Sequence, residues 1–376
     1  MDNSTYNATE SHVNDIRTDT TDWYMALPQS AVIAFAAVEF SIAIWTILSN
    51  STVIITFIKT KPQNVTNTDV LIFSLALTDI FCGLVAIPYG IVMKHLTRLV
   101  PGLRRAVLFS RYACLGQVST MVFMHGLSLL HTPVIAAERC LVLCSSRKFS
   151  ARLTRRLTNG IAVGCWVYAA ILGVLPVFWV SRWVPGSQCR ADNVYHDFMT
   201  YVLLPHIPIS FITSCVLYLA IIASVTRQRR KIAVWSAQMT EMTTESTAET
   251  ALPKVDISSR PTRASGRVWS LNRSKDLKDT SRSPGFRGLT KHQWESQVRL
   301  AKMTGTIMFV FMMSWLPYTA VYIATKNLGR SSTCLEVLRV VAVEMSELNS
   351  GINPIVYAFM SKRFRDACKR TIKCLG

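Results

Sequence analysis

Charged side chains are scarce in this sequence. They make up 17% of its 376 residues, whereas 50% are hydrophobic. A soluble chain of this length ordinarily folds as two or three domains with more surface charge. Acidic residues are scarcer still, 22 against 41 Lys and Arg. The resulting net charge of +19 would suit a nucleic-acid binder, but its distribution argues against one. No His cluster, pair of catalytic acids at a suitable depth or nucleophile motif is visible, so nothing sustains an enzyme. No internal repeat points to a transporter. The first 29 residues are polar, without the basic start and apolar core of a cleaved signal.

What is present is a series of long apolar runs. A helix needs about 20 apolar residues to cross the hydrocarbon core. Seven stretches reach that length: Ala31–Ile58, Val70–Met93, Tyr112–Cys144, Ile161–Val180, Phe198–Val225, Met303–Ala324 and Leu335–Met360. They are mostly apolar all round, unlike the one-sided helices of a soluble bundle. The pattern predicts an all-α membrane protein, a seven-transmembrane helix bundle with a short amphipathic helix at the C-terminus.

Residues 1–29 form an extracellular tail in this scheme, and 30–360 the membrane domain. The segment 227–297, rich in Ser, Thr, Arg and Lys, is expected to be a disordered third cytoplasmic loop. With the N-terminus outside, 29 of the 41 Lys and Arg fall on the cytoplasmic side, the asymmetry that orients membrane proteins. Asn3 and Asn7 open glycosylation triplets in the tail. Residues 361–376 repeat Phe364, Cys368 and Ile372 among basic side chains, which suits a helix lying on inner-leaflet lipids. Cys374, and next Cys368, are candidates for palmitoylation.

Polar groups within spans are costly, and each one prompts a functional question. Asn50, Asp79, Ser128, Asn349, Ser350 and Asn353 all fall in spans. A buried Asp needs a proton or a cation. Glu138-Arg139-Cys140 closes span three, Phe311 and Trp315-Leu-Pro317 occupy span six, and Asn353-Pro354-Ile-Val-Tyr357 occupies span seven. A proline withholds one backbone hydrogen bond and kinks its helix.

In this order and spacing the sequence resembles the rhodopsin-like, G-protein-coupled receptors. The likeness runs from Asn50 through Leu75-Ala-Leu-Thr-Asp79, Glu138-Arg139, Trp166 and Trp315-Leu-Pro317 to Asn353-Pro-Ile-Val-Tyr357. It implies a disulfide between Cys114 and Cys189, and an allosteric sodium site at Asp79, Ser128, Asn349, Ser350 and Asn353. No other cofactor is implied. It assigns the activation switch to Glu138, Arg139, Tyr218, Phe311, Trp315, Pro317, Asn353, Pro354 and Tyr357. Span six would pivot outward below Pro317 and open a cavity for a heterotrimeric G protein. Arrestin and receptor kinases are implied as further partners, membrane lipids as the solvent, and the plasma membrane as the location.

The sequence also departs from that pattern. Cys140 stands where a Tyr is usual, and the position that often carries an acid at the start of span six is Gln297, with Glu295 nearby. A weaker inactive-state latch and appreciable basal signalling follow as expectations. A non-signalling decoy receptor is the competing reading. In span five the usual Pro position is Ser210, with Pro205 and Pro208 displaced.

Met121 replaces the Asp of monoamine receptors, and Glu347 replaces the Lys of opsins. The expected ligand pocket comprises Glu39, Met121, His125, Trp315, Tyr318, Tyr322 and Glu347. By the resemblance, Glu39 and Glu347 approach one another. A cation between them would be a ligand amine, a Lys or Arg of a peptide, or an internal partner such as Arg339. A peptide or a cationic small molecule is therefore the favoured ligand. His131 lies deeper in span three and reads as a hydrogen-bonded structural residue. Lys94, His95, Arg98, Arg104, Arg105 and Arg111 read as a basic first extracellular loop.

Overall fold

The structure is a computed structural model that describes residues 28–61, 63, 65–144, 152–179, 182–185, 189–249, 291–328, 333–361, 364–366 and 368–369. It is helical, with no strand among the described residues. Span one is Gln29–Ile58, span two Asn67–Leu99, span three Arg111–Cys144 and span four Arg155–Trp179. Span five begins in a π-helical turn, Met199–Leu203, and continues as Leu204–Glu249. Span six is Lys291–Leu328 and span seven Thr333–Met360.

The expected spans are all present as helices, and six of them are long and apolar enough on composition alone to cross a membrane. Span seven is the exception: Glu344, Glu347, Asn349, Ser350 and Asn353 crowd its middle. Of these, Glu347, Asn349, Ser350 and Asn353 are buried in the bundle rather than turned to lipid. The third loop requires a correction. Residues 227–249 and 291–297 extend spans five and six as helix, because Arg, Lys, Gln, Ala and Met are strong helix formers. The rest of that loop, Asn3, Asn7 and Cys374 lie outside the described residues.

The bundle is inside-out in polarity. Its outer surface shows Phe40, Leu48, Val163, Phe178 and Ile212, all more than half exposed. Its interior holds Asn50, Asp79, His131, Glu39 and Glu347 at 0% exposure. Hydrocarbon outside accounts for the first set, and internal hydrogen bonding is required of the second.

The prolines show how that requirement is met. Pro354 has no N–H for the Ser350 carbonyl one turn back. Asn50 of span one donates its Nδ2 to that carbonyl at 2.9 Å, and to Thr46 O at 3.0 Å. Pro133 likewise frees the Leu129 carbonyl, and the Ser210 hydroxyl of span five donates to it at 3.0 Å. Ser210 therefore takes a specific role at the position where the resemblance leads one to expect a proline. His131 is accounted for in the same way. Trp166 Nε1 donates to Ser74 Oγ at 3.0 Å, Ser74 Oγ meets His131 Nε2 at 2.8 Å, and His131 Nδ1 meets Leu127 O at 2.8 Å.

Span two is not a uniform helix. It is π-helical at Cys82–Ala86, α-helical at Ile87–Ile91 around Pro88, and π-helical again at Val92–Leu96. A π turn inserts an extra residue and rotates everything beyond it. The second π turn carries Lys94 and His95. Thus Lys94, His95 and Arg98 belong to span two, not to a first extracellular loop.

Candidate functional site: an outer cavity over a cytoplasmic latch

A cavity of about 290 Å³ opens within the outer half of the bundle, near the lower limit for small-molecule sites. Its lower part is lined by Met121, His125, Leu129, Ile207, Trp315 and Tyr318. His125 and Trp315 meet edge to face with ring centroids 5.2 Å apart, and Trp315 stands 6.0 Å from Phe311. His125 Nε2 and Trp315 Nε1 are buried polar atoms without a protein hydrogen bond. Both are thus positioned to bind a ligand or water. Cys114 and Cys189 form the expected disulfide, and Cys189 lines the cavity with its neighbour Arg190. Next to it Tyr195 is fully buried, meets Ser119 Oγ at 3.1 Å, and has its phenol pushed above the ordinary value by desolvation.

Of the residues named for a ligand pocket, Met121, His125, Trp315 and Tyr318 line the cavity, and Glu39, Glu347 and Tyr322 do not. Tyr322 is 5% exposed and its hydroxyl meets Thr200 Oγ1 at 3.2 Å. The two acids are fully buried behind Lys94, whose Nζ lies 2.5 Å from Glu39 Oε1 and 3.7 Å from Glu347 Oε1. His95 Nε2 is 3.2 Å from the same Glu39 oxygen. The acids do approach one another, but the cation between them is Lys94, an internal side chain. The expectation of a cationic ligand rested on those carboxylates facing the cavity, and it loses that support. The sequence places Lys94 in the first extracellular loop, because its charge ends the apolar run at Met93; the structure places it inside span two.

Asp79, Ser128, Asn349, Ser350 and Asn353 are all buried, at 0–5% exposure. Asn353 Nδ2 donates to Asp79 Oδ2 at 3.0 Å. Asp79 Oδ1 and Asn349 Oδ1 have no protein partner. Two orphaned oxygens beside further hydroxyl and amide groups are the hard donors that a sodium ion takes, so the residues fit the ion.

At the cytoplasmic end Arg139 is 2% exposed. Its Nε and Nη2 each donate to Glu138 at 2.5 Å, and Nη1 donates to Gln297 Oε1 of span six at 2.8 Å. Thr68 of span two also contacts Arg139, and donates to Glu138 Oε2 at 2.9 Å. Sequence reasoning missed Thr68, which carries no signal beyond being a buried hydroxyl. Tyr218 packs on span six at Gly305, where a Cβ would collide with its ring. Tyr357 is buried with its hydroxyl unpartnered, and its ring is 6.1 Å from that of Phe364.

The profile described as "7 transmembrane receptor (rhodopsin family)" matches residues 49–357. The chain belongs to this family. Its rhodopsin-type relatives span several ligand classes. It is 24% identical over 339 residues to octopamine receptor beta-2R of Chilo suppressalis, covering 89% of this chain and 78% of the relative. Identity to adenosine receptor A3 of Canis lupus familiaris is 22% over 352 residues, covering 89% and 90%. Identity to 5-hydroxytryptamine receptor 1B of Felis catus is 23% over 369 residues, covering 94% and 89%. Membership makes the protein a multi-pass membrane receptor coupled to G proteins, not an enzyme.

Proposed function

We propose that this receptor sits in the plasma membrane with its N-terminus outside, binds a ligand in the outer cavity and drives nucleotide exchange on a heterotrimeric G protein. Span six moves outward below Pro317 in this reading. Sodium held by Asp79, Ser128, Asn349, Ser350 and Asn353 opposes that movement by adding bonds among the closed spans. Arrestin and receptor kinases act on the opened cytoplasmic face. Palmitoyl groups on Cys374 and Cys368 would fix the last helix to lipid. The amine and nucleoside ligands in the relatives' names are not carried over. Met121 offers no anion to an amine, and Glu347 and Tyr322 replace the His and Asn that the adenosine receptors have.

The contact that carries the reading is Arg139 Nη1 to Gln297 Oε1, 2.8 Å across spans three and six. It is a neutral-acceptor bond, about 1 kcal/mol weaker than a charged pair would be. A closed state held this way has appreciable basal exchange. Gln297→Glu should lower basal GTP exchange on purified G protein by several-fold, and Gln297→Ala should raise it. Arg139→Ala should abolish exchange while leaving surface expression intact. No exchange above membranes lacking the receptor, for any of the four proteins, would favour a decoy instead.

A further inference from the structure

Two lipid-facing stripes run into exposed cations. On span five the exposed side chains Ile212, Val216 and Leu219 recur every three or four residues, so they share one face of the helix. That face continues through Ala223 to Arg227 and Arg230, with Lys231 at its edge, all exposed. On span six Leu316, Met313 and Phe309 form a second exposed stripe, which runs on to Lys302 and Arg299, both exposed. Arg227 and Lys302 each lie about two turns beyond the last large apolar residue of their stripe. None of the five cations forms an ion pair among the described residues. The exposed acid Glu295, one turn from Arg299, is not paired with it either. The two helices meet at this level through their other faces, where Ile221, Val225, Trp294 and Val298 pack together.

We propose that Arg227, Arg230, Lys231, Arg299 and Lys302 hold a phospholipid with a multiply phosphorylated headgroup, seated at the inner-leaflet border across spans five and six. The proposal rests on the orientation given above, which puts these ends of the spans at the inner leaflet. A charged side chain is too costly to leave exposed in hydrocarbon. On a lipid-facing stripe, the first cations therefore mark the level of the headgroups. Their faces turn away from the packed interior, and so away from the cavity that a G protein would enter. Clustered cations beside a span at this level attract anionic lipid. Guanidinium forks match phosphate oxygens two at a time. A headgroup with a single negative charge serves one helix, whereas one with several phosphates can bridge both. Such a bridge joins the span that moves on activation to its neighbour.

The test uses the full-length receptor in nanodiscs of zwitterionic lipid, read as energy transfer from a label on the receptor to labelled probes. The probes are phosphatidylinositol bisphosphate, phosphatidylserine at matched total charge, and soluble inositol trisphosphate. The bisphosphate should bind saturably, and about tenfold or more tightly than either of the others. Arg227→Gln with Arg230→Gln, and separately Arg299→Gln with Lys302→Gln, should each weaken it by about fivefold or more. These side chains are exposed, so the melting temperature in zwitterionic lipid should not move. Should one pair fold poorly, the other pair and the probe ranking in the unaltered receptor still decide. Phosphatidylserine that binds as tightly as the bisphosphate overturns the proposal, since the attraction is then diffuse. Soluble trisphosphate that binds as tightly overturns it too, since the ligand is then not a lipid. So does bisphosphate binding that either well-folded pair leaves unchanged. No G protein is present in this assay, so the Gln297 and Arg139 exchange measurements judge the transducer role separately.

Discussion

Ser210 and Asn50 donate to carbonyls that prolines have left without an N–H. Each of these two bonds crosses to a neighbouring helix, which is why each residue lies at a junction between spans. A buried carbonyl without a donor costs roughly 1–3 kcal/mol. Ser210→Ala should therefore lower stability by about 1 kcal/mol or more. In a Pro133→Ala background the backbone regains an amide that can bond the Leu129 carbonyl, and the same change should cost much less. Equal melting-temperature losses in both backgrounds would show that Ser210 acts elsewhere. Asp79 poses the complementary problem, an acceptor whose Oδ1 has no protein donor. If sodium fills that place, replacing sodium by choline should raise basal exchange in the unaltered receptor. Asp79→Asn, which halves the hard-oxygen capacity of the side chain, should remove the difference.

Pairs of spans meet through small residues as well as through polar ones. At Gly173 of span four an added Cβ would lie 2.9 Å from the Ser119 carbonyl and 3.0 Å from Phe123 Cβ of span three. The first of these is backbone and cannot rotate away. Gly173→Ala should force the two helices apart and cost about 1–3 kcal/mol. Gly164, on the same helix, faces open space, so Gly164→Ala should be neutral or slightly stabilising in the same thermal assay. The spans themselves were legible as elements, since hydropathy and length decide them. Their interruptions were not. The π turns at Cys82–Ala86 and Val92–Leu96 change which face a residue occupies, and no local pattern announces such a turn beyond the nearby Pro88.

Across the whole molecule, one disulfide ties the top of span three to the loop that borders the cavity. Its two cysteines are 75 residues apart. Closing a loop of that size restricts the unfolded chain, and its loss typically costs about 2–4 kcal/mol. Cys189→Ser should thus lower the melting temperature and surface expression together. Unchanged values for both would mean that the loop is held by Tyr195 and its packing alone.

The family was legible in the sequence because its signatures are single residues at set intervals: Asn50, Asp79, Arg139, Pro317 and Asn353 can be read without knowing what they touch. The number of spans followed from hydropathy and length, and the disulfide and the choice of Met121, His125, Trp315 and Tyr318 from the resemblance. What only the tertiary structure decided is which charge meets which. Glu39 and Glu347 are far apart in sequence, and only the packing of spans one, two and seven brings Lys94 between them. That placement encloses both acids behind a cation and leaves arginines on the cavity wall. The seven-helix receptor stands as read, with Glu39 and Glu347 paired to Lys94 inside the bundle rather than lining the cavity, because burial pairs charges by distance and not by order along the chain.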